Sequence, residues 1–259
     1  MSFEEWERLP RTPGWKWEYY DGCAHVRPNH QYAVTTAAVA RRPVNSPCAL
    51  RRVLPEDEAA LLAVYLEAFA DDAVFCDYTD EQLLQAARAD LRESFGGRRA
   101  PLLPASRVAL AVEPAGQQLV GAALLSQEGT YGPVLDLLFI RPAWQHRGLA
   151  TALVSSAMNA LHEAGESVLT SCYQLANLPS RAWHRAFGFI ERPDLRYAQA
   201  YYRYARHELS RRKKSGELTG ADCAELHVEL TYWHDQVEAL QRLVEEQGYE
   251  AVTPRLPHW

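Results

Sequence analysis

The 259-residue chain lacks several things, and each absence narrows the field. It has no run of apolar residues long enough to cross a bilayer, so no membrane span is expected. Its first residues, Met1-Ser2-Phe3-Glu4-Glu5-Trp6-Glu7, lack the basic-then-apolar order of an export signal. It has no excess of positive charge. The formal net charge is −6, which argues against a dedicated nucleic-acid binder. Its five cysteines, Cys23, Cys48, Cys76, Cys172 and Cys223, show neither disulfide nor zinc-ligand spacing. An odd, dispersed set of thiols suits a reducing compartment. The expectation is a cytoplasmic, bacterial-type protein with no metal site and no membrane or nucleic-acid partner.

What is present is concentrated in residues 134–164. The apolar run Val134-Leu135-Asp136-Leu137-Leu138-Phe139-Ile140 stops at Arg141-Pro142, and a turn carries Gln145-His146-Arg147-Gly148-Leu149-Ala150. A helical pattern follows, with Leu149, Leu153, Val154, Ala157, Met158 and Leu161 on one stripe and Gly165 closing it. Strand, glycine-bearing turn and helix start together make an anion site. The first N–H groups of a helix have no internal partner, and the dipole adds positive potential. Gly148 has no side chain to keep a phosphate away.

The string Gln145-x-x-Gly148-x-Ala150 resembles the Q/R-x-x-G-x-G/A signature of GNAT-type N-acetyltransferases. A second string, Asn177-x-x-Ser180-x-x-Trp183-His184-x-x-x-Gly188-Phe189, resembles that family's N-x-x-A/S…Y-x-x-x-G-F segment. Together the two cover about residues 48–190. The resemblance implies an α/β GNAT acyl-CoA N-acyltransferase fold, a mixed central sheet whose two parallel strands splay to admit acetyl-CoA. It implies cofactor contacts from the backbone of Leu138, Phe139 and Ile140 and from the turn Gln145, His146, Arg147, Gly148, Leu149, Ala150 and Thr151. Asn177 and Ser180 stand as cofactor contacts or as helix caps, a role both residue types fill routinely.

Acetyl transfer to an amine needs a base and a source of a proton for the thiolate. Asp136 lies in an otherwise apolar strand. On simple alternation it shares a face with Leu138 and Ile140. An acid recurs near this position in many GNAT enzymes, so Asp136 is the candidate base. The competing reading is a buried aspartate bonded to backbone or an arginine. At the family's usual tyrosine, four residues before Gly188-Phe189, this chain has His184. An imidazole can serve as the acid, with activity falling as pH rises through its pKa; it can equally be a histidine packed on Trp183. Tyr173 and Tyr197 are fallback phenols.

The remaining pieces are placed by pattern. Residues 1–47 form a helix/hairpin extension and linker. Ser2 caps a short helix with Glu5 completing a capping box, and Trp15–Tyr20 and Cys23–Arg27 flank an Asp21-Gly22 turn. His30–Ala40 reads as a second short helix. This piece also resembles the opening of PD-(D/E)xK-type bacterial nucleases, in Glu18-Tyr19-Tyr20-Asp21-Gly22, Pro28 and His30-Gln31. The acidic pair and lysine of such an enzyme have no counterpart here. Residues 48–205 form the acetyltransferase domain. It has helices over Pro55–Ala70 and, after the Thr79-Asp80-Glu81-Gln82 box, up to Gly96-Gly97. Residues 97–106 read as a loop, and two strands meet at a Pro114-Ala115-Gly116 turn. Asp71, Asp72, Asp77, Asp80 and Glu81 crowd the link between those helices, either an acidic rim for a cationic amine or a solvated loop. Residues 206–259 form a helical extension. Leu226, Leu230, Trp233, Val237, Leu240 and Val244 make a coiled-coil-like seam that docks on its own chain or on a second copy as a homodimer.

The function expected is transfer of an acetyl group from acetyl-CoA to a primary amine of a small molecule or peptide, directly in a ternary complex. The alternative is a catalytically quiet acyl-CoA-binding regulatory domain.

Overall fold

The computed structural model describes residues 1–29, 31–96, 101–113, 116–129, 131–217 and 219–249. They fall into two compact units that interleave along the chain. One comprises Met1–Val34, Tyr173–Ala182 and residues 191–249; the other comprises Thr35–Cys172 and Trp183–Ile190. These limits cut across the divisions at 47/48 and 205/206.

In the first unit, the helix α1 (Phe3–Glu7) starts at Ser2. The Ser2 Oγ accepts from the Glu5 N–H at 3.1 Å, and the Glu5 carboxylate accepts from the Ser2 N–H at 2.6 Å. Strands β1 (Trp15–Tyr20) and β2 (Cys23–Pro28) pair antiparallel about Asp21 and Gly22. Both turn residues have positive φ, 52° and 72°, the geometry that Asp-Gly suits.

Residues 30–40 do not form the expected helix. His30 lies outside the described residues, and Tyr32–Ala38 is a strand, β3. The run Tyr32-Ala33-Val34-Thr35-Thr36 is rich in strand-favouring residues, and a partner strand settles the matter. That partner is β8 (Val168–Gln174). The Leu175 N–H donates to the Gln31 carbonyl at 2.8 Å, and the Val39 N–H donates to Ser167 at 2.9 Å, an antiparallel register.

β3 and β8 belong to a seven-stranded sheet with β4 (Ala49–Arg52), β5 (Arg107–Glu113), β6 (Gly116–Glu128), β7 (Gly132–Ile140) and β9 (Ile190–Arg192). The order is β4-β5-β6-β7-β8-β3-β9. β4 to β7 are antiparallel neighbours, while β7 and β8 are parallel. The loop reading for 97–106 falls partly outside the described residues, as does the turn at 114 and 115.

In the second unit helices cover both faces of the sheet. After a single turn at Pro55–Asp57, α2 (Glu58–Phe69) packs with α3 (Asp80–Phe95) on one face. Leu61, Val64, Tyr65, Leu83, Ala87 and Leu91 meet Val108, Ala122, Leu124, Leu137 and Phe139 there. The stripe of α2 is thus centred on Leu61, Val64 and Tyr65, with Leu62, Leu66 and Phe69 at its margin. Thr79 caps α3 as its sequence indicates. On the other face α4 (Leu149–Glu163) sets Leu153, Val154, Ala157, Met158 and Leu161 against Ala109, Ala123, Leu125, Leu135 and Ile140. Each fully buried leucine contributes about 2 kcal/mol by leaving water. Linker residue Arg42 is anchored, donating to the Phe187 carbonyl at 2.8 Å with its guanidinium over the Phe187 ring.

The C-terminal helices α6 (Leu195–Ser215) and α7 (Gly220–Gln247) lie in the first unit. The α7 seam packs on α6 of the same chain: Leu226 is buried, and Trp233 packs against Tyr197 and Tyr201. The cationic run 211–214 is largely neutralised. Arg211 and Arg212 both face the buried Glu208 carboxylate, and Lys214 pairs with Glu7. No described helix is long and apolar enough to cross a membrane.

Candidate functional site

The site is built where β7 and β8 part. Their parallel pairing covers Val134 with Thr170 and Leu135 with Ser171, while β7 runs on to Ile140 alongside β6. The parallel pairing with β8 thus ends at Leu135, five residues before the end of β7. Leu138 is half-buried, Phe139 and Ile140 are buried, and their main chain borders this gap.

Asp136 sits at the mouth of the fork and is 8% exposed. Strict alternation fails at this residue. Leu124 pairs with Leu137 and Leu125 with Leu135, so Asp136 has no counterpart in β6. It is the extra residue of a β-bulge. The bulge reverses the parity of the strand: Leu135 faces the same side as Leu138 and Ile140, with Leu137 and Phe139 on the other. Plain alternation would have put Leu135 with Leu137 and Phe139; the bulge is what moves it to the other side. The residue at the bulge is a carboxylate.

Past Ile140 the chain makes one turn, Pro142–Trp144, and reaches α4 through Gln145–Gly148. The Gln145 Nε2 donates to the Ile140 carbonyl at 3.0 Å, tying the loop to the strand end. His146 and Gly148 have positive φ, 58° and 77°. α4 has no side-chain cap at Gly148, and a Cβ built there would meet nothing within 4 Å. The helix thus presents its first N–H groups, from Leu149, Ala150 and Thr151, beside open space. His146, Arg147 and Thr151 are exposed, Ala150 is half-buried and Leu149 is buried. Uncapped amides under an open glycine fit a phosphate. The Trp183 indole N–H donates to Thr151 Oγ1 at 3.3 Å, fixing that side chain at the first turn.

His184, on α5 (Leu178–Phe187), is 4% exposed. Its Nε2 stands 3.0 Å from Ser171 Oγ, and Ser171 donates to the Leu135 carbonyl at 3.3 Å. Loop, carboxylate and imidazole all belong to the second unit. Asn177 and Ser180 belong to the first. There the Asn177 Oδ1 caps α5, accepting from the Ser180 N–H at 2.9 Å. The fallback phenols are engaged elsewhere. Tyr173 and Tyr197 both donate to the Glu191 carboxylate, which Arg181 also meets at 3.1 Å. Burial first, and the Glu191 charge with it, push both phenols far above the usual range.

Sequence reasoning passed over Ser171, and it named Trp183 only as a packing partner of His184. A serine inside an apolar strand gives no signal by itself; its burial beside a histidine does. The acidic residues between α2 and α3 are exposed except Asp72, which caps the Ala73–Phe75 turn by accepting from the Val74 N–H. No group of three or more His, Cys, Asp or Glu side chains suited to a metal ion occurs among the described residues.

Residues 66–189 match the model of the acetyltransferase (GNAT) family. The chain carries a GNAT domain. Solved structures of similar fold include a GCN5-related N-acetyltransferase from Sphaerobacter thermophilus, 18% identical over 62% of this chain and 48% of that one, TM-score 0.44. The chain thus spans about half the length of that protein. Another is the PaiA N-acetyltransferase of Thermoplasma acidophilum in complex with coenzyme A, 17% identical over 56% and 92%, TM-score 0.44. A third is an acetyltransferase of Trypanosoma brucei, 21% identical over 55% and 92%, TM-score 0.36. No curated protein matches the chain.

Proposed function

We propose that this GNAT-domain protein moves an acetyl group from acetyl-CoA to a primary amine by direct transfer in a ternary complex. The observation that carries this is the fork between β7 and β8 running into the uncapped, open helix start at Gly148. The neighbour from Thermoplasma acidophilum was solved with coenzyme A, which is consistent with the same ligand here. Bound acetyl-CoA supplies the activated acyl group. The amides of residues 148–151 would hold its diphosphate, and the backbone of Leu138–Ile140 its amide-bearing arm.

The chain's own contribution is positioning and proton removal. Asp136, at the bulge, takes the proton that the amine sheds as its nitrogen bonds to the acyl carbon. The carbon–sulfur bond breaks, and the proton taken up by Asp136 is returned to the departing thiolate through solvent, so the products are an amide and a thiol.

The test has two stages. Calorimetry with acetyl-CoA should show saturable binding. A panel of polyamines, aminoglycosides, amino acids and peptides, followed by release of CoA thiol, should then show turnover. Asp136→Asn should cut turnover about 10²- to 10⁴-fold with acetyl-CoA affinity retained. No binding would sink the proposal. Binding without turnover across the panel would instead support a quiet acyl-CoA-binding domain.

A further inference from the structure

Ser171 is the residue at which the fork closes. It is the last residue of β8 paired with β7, opposite Leu135. It is pinned on three sides. Its carbonyl accepts from Thr35 Oγ1 at 3.1 Å, its Oγ donates to the Leu135 carbonyl at 3.3 Å, and His184 Nε2 stands 3.0 Å from that Oγ. A serine hydroxyl has one hydrogen. When that hydrogen goes to Leu135, the oxygen accepts from His184. A bridge continuous from His184 to Leu135 requires a hydrogen on Nε2, and that is the tautomer the spectra below test.

The bridge is rigid. Ser171 is 2% exposed, and the imidazole is held at steep angles against Trp183 and Phe189, with centroids 4.9 and 5.0 Å away. It ends on Leu135, the residue immediately before the bulged Asp136. If Nε2–H were the proton given to a departing thiolate, the bridge would break at each turnover.

We infer that His184 is a positioning residue. Acting through Ser171, it clamps β7 at the fork, and so sets the width of the slot and the placement of Asp136. This rests on the acetyl-CoA reading of that slot.

Two measurements test this, and neither needs an acceptor amine. In the unliganded protein, long-range ¹H–¹⁵N spectra of the His184 ring should show a hydrogen on Nε2. An Nε2 without a hydrogen in the neutral ring would overturn the bridge. Calorimetry with acetyl-CoA should then compare the wild type with Ser171→Ala, His184→Phe and His184→Gln. The first two should each weaken binding about tenfold, the loss of one buried hydrogen bond, and their combination no further than either alone. The Gln amide can donate to Ser171, so His184→Gln should bind within about threefold of wild type. Loss of affinity with phenylalanine and its rescue by glutamine are the mark of positioning, because loss of a proton donor alone would leave binding unchanged. The rescue also shows that the phenylalanine effect is not general misfolding. Wild-type binding with all variants unchanged would overturn the clamp alone. A wild type that does not bind acetyl-CoA would overturn the functional reading and the clamp with it.

Discussion

Gly148 does two jobs that no other residue can combine. Its φ of 77° lies in the left-handed region, and the space above it is open. Gly148→Val would meet no packing obstacle, because a Cβ there touches nothing within 4 Å. The expected stability loss is therefore mainly the backbone strain of a β-branched residue in that conformation, about 1–3 kcal/mol. On the proposed acetyl-CoA reading, the expected loss of affinity is larger, at least about tenfold, since the branched side chain would stand at the proposed diphosphate position. A thermal melt and a calorimetric titration separate the two. Affinity unchanged within error would place the anion elsewhere. This glycine is legible in the sequence because the motif states its neighbours and the strand and helix around it state its conformation. Asp136 is legible only as a misplaced polar residue. The bulge it occupies depends on how β6 and β7 align, which no local pattern encodes. His184 is legible as a departure from the family pattern, but its role depends on Ser171, thirteen residues earlier on another element.

At the scale of elements, the parts read correctly are those whose signals are local. The Ser2 and Thr79 capping boxes, the Asp21-Gly22 hairpin and the α4 stripe each sit within a few residues of what they specify. β3 was not legible, because its alanines suit a helix as well and the deciding partner is β8, more than a hundred residues away. The α7 seam was legible as a period, while its partner, α6, was one of two options. α6 carries a pH dependence of its own. His207 is half-buried, and burial first, then the Arg11 charge, hold its imidazole below the usual histidine range against the opposing pull of the Leu9 backbone and Glu208, with Arg211 adding to the lowering. The folded protein thus refuses a proton that the unfolded chain accepts below about pH 6.5. The contribution to stability is intact above that pH and declines as pH falls from about 6.5 toward the lowered folded value. Denaturant melts from pH 8 to 5 should show that decline, and His207→Gln should flatten it. Parallel curves for the two proteins would assign the slope to other groups.

For the whole molecule, the decisive fact is that neither compact unit is a contiguous stretch of chain. The family match begins at residue 66, and the GNAT-like pattern is readable from about 48, yet a cut at 47/48 would discard β3. That strand fills one side of β8. It supplies Ala37 to the core beneath α4, and its Thr35 hydroxyl to the Ser171 carbonyl at the fork. In the other unit it supplies Ala33, beside Tyr173 and Leu175. Without β3 the edge of β8 would be an exposed row of unpaired backbone groups, a ready site for aggregation. A chain of residues 48–259 should therefore be expressed in aggregated form or melt without a cooperative transition. A chain of residues 31–259, which restores β3 but not the hairpin, should recover a cooperative melt and a monodisperse profile on size exclusion. If 48–259 is itself monodisperse and melts cooperatively, β3 is dispensable and the acetyltransferase domain does begin where its sequence pattern begins. If it fails while 31–259 succeeds, the N-terminal segment completes the sheet, and its third strand is part of the scaffold that sets the fork.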